Sequence, residues 1–133
     1  MVSSMTPAIV EDADGRLFMV IGAPGGSTII TTVFQVISNV IDHGMDIEQA
    51  VTAGRIHHQW KPRHLSYEEY ALSADAIANL QAKGWTVEQG VFGGYPRWGR
   101  AQGIRVRHGT NTPTGRGLYG GADPRAHGVA VGF

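Results

Sequence analysis

Apolar and polar positions along the chain fall into short segments of distinct period. Ala8-Ile9-Val10 predicts a brief strand, and Glu11-Asp12-Ala13-Asp14-Gly15 predicts a turn, since Asp-Gly readily takes positive φ. Leu17 to Ile21 is apolar at every position, the pattern of a strand covered on both faces. From Thr28 to about His43, the residues Ile29, Ile30, Val33, Val36, Ile37, Val40 and Ile41 recur at helical spacing, with Phe34 beside them. β-branched residues in the first turns lower the intrinsic helix propensity, so packing must hold this helix. Gly44 is a natural stop. Asp46 and Gln49 stand in capping-box spacing ahead of a second helix, with Ile47, Ala50 and Val51 inward and Gly54 at its end. Leu65 to Tyr70 predicts a strand. Ser73 caps a third helix, Ala74 to Lys83, with Ile77 and Leu80 inward and Gly84 beyond.

The remainder alternates. Trp85 to Gln89, Ala101 to Arg107, Arg116 to Tyr119 and the terminal Val129, Val131 and Phe133 read as strands, with a loop over Gly90 to Gly99 and a turn over His108 to Gly115. Strands, then helices, then strands predict an α+β fold with a mostly antiparallel sheet and three helices. No repeat and no linker divides the 133 residues, so residues 1–133 are expected to form a single domain. Ser-Ser-Met-Thr-Pro leads almost at once into the first strand, which suggests a piece of a longer chain.

Composition narrows the function classes. A net charge of zero from 11 basic and 11 acidic residues argues against a nucleic-acid or polybasic membrane surface. Without cysteine there is no disulfide framework and no thiolate metal site. No apolar run is long enough for a membrane span, and Met1-Val2-Ser3-Ser4 is no signal peptide. The 19 glycines cluster at turns without a period, as in a chain with many sharp connections.

One of those connections can carry chemistry. Gly22-Ala23-Pro24-Gly25-Gly26-Ser27 lies between the apolar strand and the first helix, with Ser27 as the expected N-cap. N–H groups in such a turn sit at the positive end of a helix and can hold an anion or a developing oxyanion. Taken alone, the turn is more simply a tight connection in which no Cβ fits. Ser3 and Ser4 could bind a carboxylate or be a solvated terminus. Of six histidines, none forms a metal-ligand spacing, and His57, His58 and Trp60 read best as packing. Asp123-Pro124-Arg125 suggests a turn with a salt bridge. There is no Gly-x-Ser-x-Gly elbow and no sign of a Ser-His-Asp triad, so the residues supply anion-binding groups without a nucleophile or base.

Several stretches together resemble the γ-glutamyltranspeptidase family. They are Ser3-Ser4-Met5-Thr6-Pro7, Gly22 to Ser27, Ile30-Thr31-Thr32-Val33, Ala53 to Trp60, Gly99-Arg100-Ala101-Gln102 and Leu118 to Arg125, in matching order and spacing. The resemblance covers nearly the whole chain. It implies part of an N-terminal nucleophile hydrolase fold, an αββα sandwich, and places the chain in the C-terminal part of the small subunit. It implies that Ser3 and Ser4 bind the α-carboxylate of a γ-glutamyl group and that Gly25 and Gly26 form the oxyanion hole. It implies glutathione-type γ-glutamyl amides as substrates, an acyl-enzyme, no cofactor, and a periplasmic or extracellular location. The family's threonine nucleophile, the acidic residue that holds the substrate amino group and the large subunit all lie outside this sequence. Ala23 stands where serine is usual, Gly54 where proline is, and Ile56 where an aromatic is.

The expected partners are the γ-glutamyl substrate, the rest of the small subunit and the large subunit, with self-association as a homo-oligomer also expected of an exposed apolar face. Two other readings stand beside this one: a non-catalytic homologue that binds a small carboxylate or a partner subunit, and an acylase of the same fold with another amide substrate.

Overall fold

The computed structural model describes residues 5–90, 98–109 and 111–132. In chain order the elements are β1 (Ala8–Glu11), β2 (Leu17–Gly22), α1 (Ile29–Ile41), α2 (Ile47–Thr52), β3 (Ile56–His57), β4 (His64–Tyr67), α3 (Ala74–Ala82), β5 (Thr86–Gln89), β6 (Gln102–His108) and β7 (Arg116–Ala122). β1, β2, β6 and β7 lie in that order in a four-stranded sheet whose neighbours all run antiparallel. β3, β4 and β5 make a second, three-stranded sheet, in which β4 and β5 run parallel across α3. The expected α+β class and mostly antiparallel pairing hold, with this one parallel exception.

Helices α1 and α2 cover one face of the larger sheet. Met19 and Ile21 of β2 pack with Val33, Val36 and Val40 of α1 and with Ile47, Ala50 and Val51 of α2. Close approach is made possible by a glycine pair. Gly103 and Gly121 face each other across β6 and β7. A Cβ at Gly103 would lie 2.8 Å from Ile47 Cδ1, and one at Gly121 would lie 2.7 Å from the Ile47 carbonyl oxygen. α2 therefore rests almost directly on the strand backbone, which fixes its height above the sheet.

Among the described residues no helix covers the opposite face; only the terminal segment lies against it, with Ala130 Cβ 2.7 Å from where a Cβ of Gly120 would stand. Ile9, Val20 and Ile104 stand in one cross-strand row, and Ile9 is 72% and Ile104 47% exposed, with Leu118 at 70%. β2 is thus buried on one side only, against the expectation of cover on both. The outer surface of α1 is apolar as well: Ile30, Phe34 and Ile41 follow one another along the helix and all are exposed.

Local signals mostly place the element ends. Asp46 accepts from the Gln49 N–H at 2.8 Å while the Asp46 N–H donates to Gln49 Oε1 at 3.1 Å, the complete capping box. Ser73 Oγ accepts from the Ala76 N–H at 3.2 Å at the start of α3. Two expectations are corrected. Ser27 is not the N-cap of α1; it lies inside a short 3-10 turn, Gly26–Thr28, and Thr28 takes the cap position. The terminal alternation of Val129 and Val131 does not make a strand: both are exposed and residues 128–132 pair with no sheet, while Phe133 lies outside the described residues. The segment lies over the face of β7, where a Cβ at Gly120 would meet Ala130 Cβ at 2.7 Å, and does not pair along an edge; alternation alone therefore does not suffice for a strand.

Candidate active site

β2 ends at Gly22, and Ala23 and Pro24 lead from the sheet into the 3-10 turn that opens α1. Ala23 is fully buried, so its methyl belongs to the core. Gly26 has φ 61°, the left-handed region that favours glycine, and faces open space. Gly25 is required for a different reason. A Cβ there would fall 2.6 Å from Gly99 Cα and 2.8 Å from Thr28 Oγ1, far inside contact distance. The Gly25 carbonyl is turned inward, accepting from Thr28 Oγ1 at 2.9 Å and from the Thr28 N–H at 3.3 Å. The N–H groups of Gly25 and Gly26 donate to no group among the described residues. They open the 3-10 turn, Gly26–Thr28, that runs directly into the 13-residue α1, so they lie at the positive end of the combined peptide dipoles. Two adjacent, unengaged donors at that end suit a negative oxygen.

The turn is braced from behind by residues 98–101. The Arg100 N–H donates to the Pro24 carbonyl at 3.0 Å. Gly99 has no room for a side chain either, since a Cβ would lie 2.7 Å from Thr32 Cβ of α1. Gly99 is thus wedged between the turn and the helix that follows it.

A buried ionic cluster holds this wedge. Arg55 and Asp123 are 2% and 0% exposed. Arg55 Nη1 donates to the Gly99 carbonyl, and Nη2 donates to Asp123 Oδ2 at 2.7 Å and to the Val51 carbonyl at 2.8 Å. Asp123 Oδ2 also accepts from the Ala101 N–H at 2.7 Å, and Oδ1 accepts from the Arg125 N–H at 2.9 Å and from Arg125 Nη1 at 3.1 Å. Arg125 Nε donates to Glu68 Oε1 at 2.5 Å, and its Nη groups reach the carbonyls of Val51 and Ala53 at the end of α2. Glu68 Oε2 accepts from the Arg55 N–H at 2.9 Å.

Burial alone would raise the Asp123 carboxyl, but the Arg125 N–H, the Arg55 guanidinium and the Ala101 N–H outweigh it and hold the group below its ordinary range. Burial lowers Arg55, and the charge of Arg125 adds to that, against the opposing pull of Asp123 and Glu68. For Arg125 burial is outweighed by Glu68 and Asp123, which raise it. Buried charges persist only when paired and hydrogen-bonded; each of these is paired, and Arg55 Nε alone in the cluster has no hydrogen-bond partner among the described residues.

The histidines pack, as their spacing suggested. His57 is buried; its Nδ1 meets Thr31 Oγ1 at 2.8 Å and its Nε2 meets Gln59 Oε1 at 3.0 Å. Gln59 Nε2 donates to the Lys61 carbonyl at 3.1 Å, and Thr31 Oγ1 also donates to the Thr28 carbonyl at 3.1 Å, so both partners of the ring are themselves held. His58 stands edge-on to Trp85 with centroids 4.9 Å apart, whereas Trp60 is exposed and does not join them. Among the described residues no three His, Asp or Glu side chains gather as a metal site, and no helix is long and apolar enough to cross a membrane.

Of the residues singled out in the sequence, Gly25 and Gly26 share one exposed turn, while Ser3 and Ser4 lie outside the described residues. The chain enters beside that turn: Ala8 pairs with Ile21, and a Cβ at Gly22 would meet Met5 Cε at 3.2 Å and Pro7 Cα at 3.5 Å. The salt bridge expected at Asp123-Pro124-Arg125 is present at 3.1 Å, but it is one edge of a larger cluster. Arg55 and Glu68 escaped notice because no local pattern ties Arg55 to a carboxylate 68 residues away.

The two sheets and three helices superpose on solved enzymes of the N-terminal nucleophile hydrolase fold, which defines the scaffold. The chain belongs to the γ-glutamyltranspeptidase family, whose model, described as Gamma-glutamyltranspeptidase, matches residues 1–133. It is 40% identical over 133 residues to the glutathione hydrolase proenzyme of Pseudomonas aeruginosa, covering 98% of this chain and 22% of that protein. It is 42% identical over 125 residues to the glutathione hydrolase proenzyme of Escherichia coli, covering 94% of this chain and 19% of that protein. The chain thus spans about a fifth of the length of these curated relatives. Among solved structures, the T380A mutant of Helicobacter pylori γ-glutamyltranspeptidase superposes with a TM-score of 0.80 at 42% identity, over 94% of this chain and 62% of that one. The Pseudomonas nitroreducens γ-glutamyltranspeptidase complexed with L-DON gives 0.79 at 39% identity, over 100% of this chain and 64% of that one.

Proposed function

We propose that this chain is the C-terminal part of the small subunit of a γ-glutamyltransferase or glutathione hydrolase, and that it supplies the oxyanion hole through the N–H groups of Gly25 and Gly26. The observation that carries this reading is the pair of unengaged amides at the N-terminus of α1, held by glycines that tolerate no substitute at position 25. A nucleophilic threonine from the rest of the enzyme would attack the γ-carbonyl carbon. The carbonyl π electrons move onto oxygen, and the two amides bind the resulting oxyanion. Collapse reforms the carbonyl, and the leaving amine departs with a proton. Water or an acceptor amine then attacks the acyl-enzyme in the same way. Ser3 and Ser4 would bind the substrate α-carboxylate. Entry of the chain beside Gly22 favours this, because it brings the segment after Ser4 to the turn-bearing end of the sheet.

The exposed apolar part of the outer sheet face, with Ile9, Ile104 and Leu118, and the outer stripe of α1 are the surfaces on which the rest of the small subunit and the large subunit would pack. The complete enzyme is therefore expected to release nitroaniline from γ-glutamyl-p-nitroanilide, and the 133-residue chain alone is expected to release none and to self-associate. Turnover by the purified chain, at a rate proportional to its concentration, would overturn this division of labour. So would a complete enzyme that is inert toward every γ-glutamyl amide.

A further inference from the structure

We infer that Asp123 is a positioning residue for the Gly25–Gly26 turn, acting through Arg55 and Gly99. The inference rests on the reading of that turn as the oxyanion hole. The path is continuous and short. Asp123 Oδ2 holds Arg55 Nη2 at 2.7 Å and the Ala101 N–H at 2.7 Å. Arg55 Nη1, on the other arm of the same rigid guanidinium, donates to the Gly99 carbonyl. Ala101 is two residues from Gly99, so the carboxylate fixes this segment from both of its sides. Gly99 Cα in turn stands against Gly25 so closely that a methyl group at Gly25 would lie 2.6 Å from it. The neighbouring Arg100 N–H ties the same segment to Pro24 at 3.0 Å.

Several features go beyond what stability alone needs. Asp123 engages both carboxylate oxygens with four donors from three residues: one each from Arg55 and Ala101, and two from Arg125. Arg125 anchors the cluster to the last carbonyls of α2 and to Glu68, so the far end of the path is fixed to a helix that rests on the sheet backbone. The planar guanidinium has the reach to hold a carboxylate on one arm and a carbonyl on the other, which an ammonium lacks. An oxyanion hole works only if its donors are in place before charge develops, and a displacement of about 1 Å can cost about 100-fold in rate. Asp123 touches neither substrate nor the reacting atoms; its role is to keep the Gly25 amide where it is.

The test uses the complete, processed enzyme with Asp123→Asn and Arg55→Lys. Asparagine has the shape of aspartate but cannot accept on its nitrogen. Lysine keeps a cation beside Asp123 without the second arm for the Gly99 carbonyl, and it decides the question if Asp123→Asn does not fold. In each folded variant kcat for a γ-glutamyl anilide is expected to fall at least tenfold, with KM within twofold of wild type. Affinity for a γ-glutamyl boronate, which mimics the tetrahedral oxygen, should fall by the same factor, while inhibition by free glutamate stays unchanged. Amide hydrogen exchange should rise at Thr28 and Arg100, whose N–H groups donate to the Gly25 and Pro24 carbonyls, while β1 keeps its protection. A kcat within twofold of wild type in a folded variant would overturn the inference, as would equal losses of glutamate and boronate binding. Gly26→Pro in the same enzyme separates the two claims: if it lowers kcat and the other variants do not, the oxyanion reading stands and the role of Asp123 falls.

Discussion

Replacing Gly25 with alanine in the complete enzyme is expected to lower kcat for γ-glutamyl-anilide hydrolysis by about 100- to 1000-fold, the usual loss when one oxyanion donor is removed. The substituted methyl would lie 2.6 Å from Gly99 Cα and 3.0 Å from Gly99 N, both backbone atoms that cannot swing aside. Either the turn or the 98–101 segment must shift, and the Gly25 N–H moves with it. Gly26→Ala makes a discriminating control. Its methyl meets nothing within 4 Å, and only its φ of 61° penalises it. That strain is about 1–2 kcal/mol and leaves the amide in place, so a much smaller loss of kcat is expected. Gly26→Pro removes the N–H and cannot adopt φ 61°, so it should lower kcat at least as far as Gly25→Ala. Since these changes act on the transition state, KM for the γ-glutamyl donor should move little, and initial-rate measurements over substrate concentration separate the two. Equal rates for Gly25→Ala and wild type would remove the turn from the mechanism.

Arg55→Met is the change expected to cost most in stability. It strips Asp123 Oδ2, on a carboxylate at 0% exposure, of its guanidinium and leaves only Arg125 on Oδ1 at 3.1 Å; breaking a buried ion pair in this way costs up to about 3–5 kcal/mol. The Gly99 and Val51 carbonyls lose a donor at the same time. The loss should depend on pH in a definite direction. The folded Asp123 carboxyl lies below its ordinary value of 3.8, so its contribution is fully present above about pH 4 and is lost as pH falls through the folded value. In Arg55→Met the folded carboxyl moves back toward the ordinary value and has less to lose. Urea midpoints of the complete enzyme should therefore differ strongly between wild type and Arg55→Met at pH 7, and the gap should narrow toward pH 3. A gap that widens on acidification would contradict the assignment of Asp123 as the partner that is lost.

What the sequence made legible, and what it hid, follows from the range of the interactions. Asp46 with Gln49 and Ser73 with Ala76 are contacts within one turn of chain, and their signatures stand in the residues themselves. The glycine turn was visible for the same reason, because Gly25 and Gly26 are adjacent and follow an apolar strand. Its reason was not visible. The demand at Gly25 comes from Gly99, 74 positions on by their numbering, and appears only when the chain is folded. Ser27 was misread as a cap because a 3-10 turn and the first turn of an α-helix leave the same mark on a sequence. The Arg55–Asp123 pair is the extreme case, since neither neighbourhood records that these two charges meet in a dry interior. Val129 and Val131 show the converse, a strand pattern in a segment that lies over the sheet at Gly120 without pairing along its edge.

The central claim is that the Gly25 and Gly26 amides bind the oxygen on which charge develops. A structure of the complete enzyme carrying a γ-glutamyl boronate on its nucleophile tests it most directly. The account predicts one boronate oxygen at about 2.7–3.1 Å from both the Gly25 and the Gly26 nitrogen. A boronate whose oxygens face solvent or other donors, with both glycine amides still unengaged, would contradict it.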